Sequence, residues 1–332
     1  MSKIDSDKLS RRSLFGRAVG AASVVAALPL IGAQAQPAPG PPAAPAVPPP
    51  ATRPMPQGGT GPIKVLFITK SHPFDRENLF LTLDSMGKDI TWTHVEHPAA
   101  QAFFDPKLAA GYDVFLFYDA FAGRDELAPG PDGKRNFTFH PPSPKLRADF
   151  KQLLRNGDKG FVFFHHALSS WNHTWPEYVE VMGGASDWDV PLKNIRGKNY
   201  PQSGYHAGVS EHITVVDKAH PITQGLGDGF DIVDETYLSP MFEDSVHALL
   251  RTDFKPVAEN FRPEQAGHPA GSNMTAWVKT AERSPIVYIQ HGHDNRAWTN
   301  PSFRTLMTNA IKWSASPDSK TWAHANPKKI FS

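Results

Sequence analysis

The sequence predicts an α/β fold in which an open, mostly parallel sheet carries helices on both faces. Continuous apolar runs, such as 64–69 and 160–165, are typical of strands that are buried on both faces of a parallel sheet. Segments with apolar residues at helical spacing, such as 76–86 and 144–156, alternate with these runs. This alternation favours βαβ units, whose strands pair in parallel.

The predicted elements lie in one domain over residues 61–316, followed by a short C-terminal tail at 317–332. In the first half we expect strands at 64–69, 90–95, 112–118 and 160–165 and helices at 76–86 and 144–156. Asn156-Gly157 is a good helix stop, because glycine readily adopts the left-handed conformation that ends many helices. A long loop over 122–143 precedes the second helix. In the less regular second half we expect strands at 212–216, 246–250, 275–278 and 285–290 and a closing helix at 301–314.

The first 60 residues are predicted to lie outside this domain. A twin arginine at 11–12, an apolar run at 18–31 and an A-x-A site at 33–35 form the pattern of a twin-arginine (Tat) signal peptide. The apolar run is shorter than the roughly 20 residues of a membrane span, so we expect no stable span after processing. The alternatives are a basic amphipathic terminus or an uncleaved anchor. The pattern over residues 1–35 therefore predicts contact with the Tat export machinery and a periplasmic or secreted protein.

Residues 36–60 contain ten prolines and almost no large apolar side chain. Such a segment cannot bury enough surface to fold and is expected to be an extended, disordered linker.

The composition excludes several classes of function. There is no cysteine, which rules out disulfides, thiolate metal sites and cysteine nucleophiles. Residues 1–35 hold five of the 34 basic and two of the 33 acidic side chains, so the remainder carries 29 minus 31, a net charge of −2. A near-neutral body offers no electrostatic footprint for nucleic acid, and no nucleic-acid partner is expected. The 15 histidines make imidazole the most available ligand and general acid or base.

Histidines follow three of the predicted strands. His72, His165 and His293 come shortly after the strands at 64–69, 160–165 and 285–290, and Asp119 and Asp294 stand at similar positions. Because ligands of open α/β sheets bind at the carboxyl ends of the strands, we expect these side chains to converge at one edge. The alternatives are that His72 is an ordinary loop histidine, that His165 is a core imidazole and that Asp294 only caps a helix.

A second polar cluster follows the HPITQGL segment at 220–226. We expect a tight loop here that packs over the site, with Asp234 and Glu235 as carboxylates for acid/base chemistry or metal binding. The alternative is a solvated turn. Trp171 and His206 add aromatic surface near the same loops, which suits the apolar faces of sugar rings, although a tryptophan is more often part of a core.

Four separated motifs, in order over residues 63–316, resemble the trehalose-utilisation (ThuA-like) family. The motifs are GFVFFH at 160–165 with WPEY at 175–178 and GG at 183–184, HPIT at 220–223, DETY at 234–237, and Tyr288 with Gly292-His293. The resemblance implies a flavodoxin-like fold of the class I glutamine amidotransferase-like superfamily. In amidotransferases of that superfamily, the turn after the central strand carries a nucleophilic cysteine. Here that turn carries His165, so the protein is not expected to be a glutaminase.

The resemblance also implies a role in carbohydrate metabolism, with trehalose or 3-keto-sugars as substrates. We therefore expect a periplasmic carbohydrate-active isomerase, lyase or hydrolase that acts by acid/base chemistry on a small sugar or keto-sugar. The alternative is a non-catalytic carbohydrate-binding or accessory protein that uses the same cleft. The DWD segment at 187–189 and the loop at 122–143 depart from the common family pattern, so substrate contacts in them cannot be transferred.

Roles follow for the candidate residues. The expected catalytic residues are His165, His293, Glu235 and His72. The expected substrate contacts are Trp171, Tyr237, Asp294, His206 and Asp119. A divalent metal such as zinc could be bound by His72, His165 and His293, and no nucleotide cofactor is expected.

Overall fold

The computed structural model describes residues 57–332. The strands are β1 (Gly58–Gly59), β2 (Ile63–Lys70), β3 (Ile90–Glu96), β4 (Val114–Asp119), β5 (Arg124–Leu127), β6 (Asn136–Phe139), β7 (Gly160–Phe164), β8 (Leu192–Ile195), β9 (Lys198–Tyr200), β10 (Gly204–Val215), β11 (Gly229–Leu238), β12 (His247–Thr252), β13 (Met274–Ala281) and β14 (Ser284–Ile289). The helices are α1 (Arg76–Asp84), α2 (Pro106–Ala109), α3 (Pro144–Asn156), α4 (Pro176–Met182), α5 (Asn295–Trp298), α6 (Pro301–Ala315) and α7 (Pro317–Ala325).

Ten strands form one open sheet in the order β1-β3-β2-β4-β7-β14-β13-β12-β10-β11. Strands β3, β2, β4, β7 and β14 pair in parallel. Strands β13, β12, β10 and β11 extend the sheet by antiparallel pairing. The two remaining pairs, β5-β6 and β8-β9, form small separate hairpins. The predicted α/β class with an open sheet is confirmed.

Helices cover both faces of the sheet because the side chains of the central strands alternate between two apolar clusters. Val65 and Phe67 of β2 point to the cluster that contains residues of α1 and α6. Leu66 and Ile68 point to the opposite cluster, which contains residues of α3 and α4. Since every apolar side chain from Val65 to Ile68 is buried, the continuous apolar sequence of β2 is explained by the two-sided packing.

Helix α3 ends where the sequence predicted. Gly157 adopts a φ of +70° and its backbone N–H donates to the carbonyl oxygen of Leu153. At the other end, Ser143 accepts a hydrogen bond from the backbone N–H of Leu146, and Pro144 occupies the first helical turn. These end contacts set the length of the crossover that leads into β7.

The segment that carries the DETY motif differs from the expectation of a loop or solvated turn. It belongs to β11, and Asp234, Glu235 and Tyr237 are all buried. The strand pairs with β10, and their register shifts between His206 and Val209. Two adjacent acidic residues resemble a turn in the sequence, but here their side chains are enclosed by the loop that follows β14.

Two other segments are more ordered than expected. The loop at 122–143 contains the hairpin β5-β6. Residues 317–332 form α7 and a terminal segment in which Phe331 is buried, so the folded domain continues past 316. The predicted signal peptide and most of the predicted linker lie outside the described residues, whereas β1, at 58–59, pairs with β3. Among residues 57–332 no helix has the length and apolar character needed to cross a membrane.

Candidate functional site

The turn after β7 places His165 at the carboxyl edge of the parallel strands. His165 is fully buried and has a φ of +54°, a left-handed conformation that residues other than glycine seldom adopt. Its backbone carbonyl accepts a hydrogen bond of 2.7 Å from the hydroxyl of Tyr288 on β14. Non-glycine residues in this conformation are often found at functional sites, where the surrounding structure holds them.

The loop after β14 brings His293 to His165. Strands β7 and β14 pair in parallel up to Phe164 and Ile289, so the residues that follow them emerge side by side. His165 Nε2 lies 3.0 Å from His293 Nδ1, and His165 Nδ1 lies 3.1 Å from the carbonyl oxygen of Gln290. A carbonyl oxygen only accepts, so the proton of neutral His165 is on Nδ1. Nε2 then accepts from His293 Nδ1–H, which leaves the lone pair of His293 on Nε2.

Strand β11 completes the cluster with Glu235 and Tyr237. The Glu235 carboxylate lies 3.8 Å from His165 Nε2 and 3.6 Å from His293 Nδ1. The Tyr237 hydroxyl lies 3.0 Å from each ring nitrogen of His165. Residues from three strands therefore meet at one point.

Asp234 fixes the backbone of the loop that carries His293. Its two carboxylate oxygens accept hydrogen bonds from the backbone N–H groups of Gly292, at 2.6 Å, and His293, at 3.1 Å. The carbonyl oxygen of Gly292 in turn accepts from the Tyr118 hydroxyl and the Trp298 indole N–H. Because both the N–H and the carbonyl of Gly292 are hydrogen-bonded, the position of the adjacent His293 depends on side chains from β4, β11 and α5.

Two more imidazoles stand beside the cluster. The ring centroid of His72 lies 5.3 Å from that of His293 and 4.6 Å from that of His166. The His166 ring lies 4.9 Å from His165. His166 directly follows His165 in the sequence, and both are buried. The site thus contains four neighbouring histidines.

Burial shifts the pKa values of these groups towards their neutral forms. Loss of solvation, together with neighbouring imidazoles, holds the pKa of His165 well below its usual value and lowers the pKa of His72 to about 4. Burial raises the pKa of Glu235 to about 7 and that of Asp234 to about 6. Neutral imidazoles provide the lone pairs needed by a general base or a metal ligand.

Within residues 57–332, His165, Glu235 and His293 form the one group of three whose ligand atoms lie close enough to hold a metal ion. His165 Nε2 and His293 Nδ1 lie 3.0 Å apart, and the Glu235 carboxylate approaches them with its two oxygens, Oε1 at 3.8 Å from His165 and Oε2 at 3.6 Å from His293. A tetrahedral zinc ion with bonds of about 2.1 Å separates its ligands by about 3.4 Å, so the spacing suits such an ion. The carbonyl of Gln290 would orient the His165 ring from behind, as an outer hydrogen-bond partner of a metal-ligating histidine does. Glu235 takes the place in this group that the sequence analysis gave to His72.

A cavity of about 570 Å³ opens onto the cluster. His72, His166, Glu235 and His293 line one part of it. Another part is aromatic and basic, with Phe121, Trp188, Tyr205, Arg124, Arg135 and Arg262. Its size suits a sugar, and the polar groups gathered at one wall with aromatic rings at another are typical of a small-molecule site.

The structure brings together five of the predicted site residues. These are His72, His165, Glu235, Tyr237 and His293. Asp294 caps α5, forms an ion pair with Arg296 and lines a second cavity, of about 410 Å³, beside His72 and His293.

The other three predicted residues do not line the main cavity. Trp171 is buried against Trp175, and Asp119 is buried and accepts a hydrogen bond from the Ser170 hydroxyl. His206 is exposed on β10. The structure therefore places these three residues apart from the cavity that opens onto the histidine cluster.

Sequence reasoning missed several residues that line the cavity. His166 was given no catalytic or ligand role, although its position next to His165 could have suggested one. Trp188 was noted only as part of the DWD segment at 187–189, from which no substrate contact could be transferred. Arg124, Arg135 and Arg262 lie in or beside loops whose sequence has no periodic pattern, so no sequence signal identified them.

Comparisons with known proteins agree with this architecture. A family model described as trehalose utilisation (ThuA) matches residues 64–314. One similar crystal structure is that of a putative ThuA-like protein from Parabacteroides merdae, whose sequence is 18% identical to this one. The match covers 77% of this chain and 90% of that chain, with a TM-score of 0.54. Another from Bacteroides uniformis is 18% identical over 78% of this chain and 94% of its own, with a TM-score of 0.48. No curated protein matches the sequence significantly.

Proposed function

This chain belongs to the ThuA, or trehalose utilisation, family, and from that premise we propose that it is an enzyme that transforms a sugar or 3-keto-sugar by acid/base chemistry. The observation that carries the proposal is the contact of His165, His293 and Glu235 at the wall of the 570 Å³ cavity. The site offers an imidazole and a carboxylate in place of a nucleophile. This supports proton transfer as its chemistry and an isomerisation, an elimination or a hydrolysis as the reaction.

A 3-keto group makes the neighbouring C–H bonds of a sugar acidic. In the proposed first step, the C–H proton moves to the free Nε2 of His293, the electron pair of that bond forms a C=C bond, and the π pair of the carbonyl moves to its oxygen to give an enediolate. His293 is suited to this role because its side chain remains 22% exposed and lines the cavity. His72 is the other partly exposed imidazole on the same wall, whereas His166 is buried.

We further propose that His165, Glu235 and His293 bind a divalent cation such as zinc. The support is the spacing of the three ligand atoms and the neutral state of the imidazoles. When bound, the ion would stabilise negative charge on a substrate oxygen. His293 would then use Nδ1 as a ligand, and His72 would be the imidazole left for proton transfer.

Elemental analysis of the purified protein tests the metal. We expect about one divalent ion per chain in the wild type and none in the His165→Ala, His293→Ala double variant. The exposed histidine His212, which pairs with Asp231 away from the main cavity, provides the control His212→Ala, which should keep the ion. A wild type free of metal would contradict the metal proposal and leave His293 as the base.

Hydrogen–deuterium exchange tests the proton transfer itself. The protein is incubated with 3-keto-glucosides in D₂O, and NMR follows deuterium entering the carbons beside the carbonyl. Wild type and His212→Gln should catalyse exchange, and a His72→Gln, His293→Gln double variant should lose it by about 100-fold or more. The single variants then show which of the two imidazoles takes the proton. Equal exchange in the double variant would overturn the assignment.

The second candidate function is sugar binding without turnover, and the aromatic wall of the cavity favours it. A binding protein would keep its sugar affinity in the His293→Gln variant, and its wild type would catalyse no exchange. Calorimetric titration of the same sugars separates the two cases.

We also propose that the protein acts outside the cytoplasm. The support is the twin arginine at 11–12, the apolar run and the A-x-A site. Cell fractionation should find the wild type in the periplasm and an Arg11→Lys, Arg12→Lys variant in the cytoplasm. Periplasmic recovery of that variant would contradict export by the twin-arginine route.

A further inference from the structure

The hairpin β5-β6 and the DWD segment at 187–189 are joined by a buried ion-pair network. The guanidinium of Arg124 lies 3.1 Å from both carboxylate oxygens of Asp187 and 2.7 Å from Asp189. Arg124 and Asp187 are 6% and 1% exposed. One arginine thus holds both aspartates that flank Trp188.

Further contacts fix this arginine and its partner. The guanidinium lies between the rings of Phe121 and Phe137, at 3.4 and 4.0 Å from their centroids. Asp187 also accepts hydrogen bonds from the backbone N–H groups of Asp189 and Val190. A planar guanidinium that is bonded to two carboxylates has one geometry, which lysine cannot reproduce. The backbone on both sides of Trp188 is therefore held in place.

Trp188 lines the main cavity. Its ring lies 5.1 Å from Tyr237, which contacts His165, and 5.6 Å from Phe121. Its indole Nε1 is buried and has no hydrogen-bond partner within residues 57–332. Because Nε1 is enclosed, a molecule in the cavity can reach only the exposed part of this half-buried ring.

We propose that Trp188 is the residue that recognises the sugar ring and that Arg124 positions it. The ligand would be a pyranose whose apolar C–H face packs on the part of the indole that faces the cavity. This inference rests on the proposed function, since it assigns a sugar to the same cavity. It gives the recognition role to a tryptophan that the hairpin holds beside the catalytic cluster.

Sugar titration of the full-length protein tests the contact. With 3-keto-glucosides and their unoxidised parents as probes, calorimetry should show affinity about 10-fold weaker in Trp188→Ala, which loses the ring. Trp188→Phe, which keeps a smaller ring, should lose less affinity. The matched control is Trp322→Phe, which changes another half-buried tryptophan, on α7 and outside the cavity, and should bind as wild type does. Unchanged affinity in Trp188→Ala, or no sugar binding by the wild type, would overturn the proposal.

The positioning role of Arg124 needs a variant that keeps the charge. Arg124→Lys keeps the charge but loses the planar fork that meets both oxygens of Asp187 and also reaches Asp189, so we expect a raised KM with kcat little changed and a red-shifted Trp188 emission. The emission of Trp188 is obtained by subtracting the spectrum of the Trp188→Phe variant. Wild-type emission and KM in a folded Arg124→Lys protein would refute positioning.

The failure of this inference can be told from the failure of the proposed function. If Trp188→Ala binds sugar as wild type does while deuterium exchange persists, the recognition role is wrong and the enzyme assignment stands. If exchange is absent from the wild type but Trp188→Ala weakens sugar binding, the cavity recognises sugar without catalysing proton transfer.

Discussion

Gly292 is the position in the histidine-bearing loop at which a single methyl group should have the largest effect. Its φ is +127°, beyond the left-handed region that other residues occasionally visit. A Cβ placed there would lie 2.9 Å from a ring carbon of Phe164 and 3.3 Å from Phe303. Neither ring can move freely, because both are buried in the same apolar cluster. Gly292→Ala therefore combines backbone strain with a steric clash.

The two contributions can be estimated separately. A residue other than glycine in such a conformation costs about 1–3 kcal/mol. Overpacking a well-filled core costs about 1–3 kcal/mol more. We therefore expect the free energy of unfolding to fall by about 4 kcal/mol, which lowers the Tm of a domain of this size by roughly 10 °C. Because the N–H of Gly292 donates to Asp234, the shift should also move His293 and weaken metal and sugar binding.

Thermal and urea unfolding measure the loss, and Gly267→Ala provides the control. Gly267 has a φ of +85°, but a methyl group added at its Cα would meet no atom within 4 Å, so its substitution causes strain without a clash. We expect a cost of about 1 kcal/mol and a Tm decrease of roughly 3 °C there. If both variants lose the same stability, the clash with Phe164 does not exist and the reasoning is refuted. If Gly292→Ala is destabilised but binds metal and sugar normally, Gly292 does not position His293.

Two further predictions concern stability elsewhere. Phe331 is 4% exposed and packs near Phe150, so Phe331→Ala should lower the free energy of unfolding by about 3 kcal/mol and the Tm by roughly 8 °C. Lys329 is exposed, and Lys329→Ala should leave the Tm almost unchanged. Equal Tm values for the two variants would mean that the C-terminal segment does not pack on the domain. Burial lowers the pKa of His220 to about 4, and its Nδ1 accepts from the backbone N–H of Ile222. The neutral ring stabilises the fold above pH 6.5, and this stabilisation is lost as the pH falls towards 4. The loss is at most about 1.4 kcal/mol per pH unit, and it is smaller here because solvent screens the partly exposed ring. His220→Asn keeps a hydrogen-bond acceptor at this position, so its Tm should fall less between pH 7 and pH 5 than the Tm of the wild type. An equal fall in the two proteins would show that protonation of His220 does not destabilise the fold.

The parallel half of the fold was predictable because its strands are buried on both faces. Residues 64–69 and 160–165 have no polar face, and such runs can be recognised without knowing their neighbours. Strand β11 could not be found in this way. Asp234 and Glu235 interrupt its pattern, and their burial depends on backbone N–H groups and imidazoles more than 50 residues away in the chain. Local sequence cannot report that pairing.

The same distinction applies to the site. Histidines after parallel strands converge because the topology forces the ends of those strands to one edge, so His72, His165 and His293 could be predicted together. The role of Trp188 depends on the hairpin β5-β6, which holds it through Arg124. Nothing in the order of the residues connects positions 124 and 188, and the sequence analysis chose Trp171 instead.

The position of His165 limits what it can do chemically. It occupies the sharp turn after the central strand, yet it is fully buried and both its nitrogens are engaged. Nδ1 donates to the Gln290 carbonyl, and Nε2 faces His293 and Glu235. In neither the metal-free nor the metal-bound arrangement does a lone pair remain for a substrate proton. In the proposed function, proton transfer therefore falls to a partly exposed imidazole that lines the cavity, His293 or His72, rather than to the buried His166, and His165 would orient that imidazole or help to hold the ion.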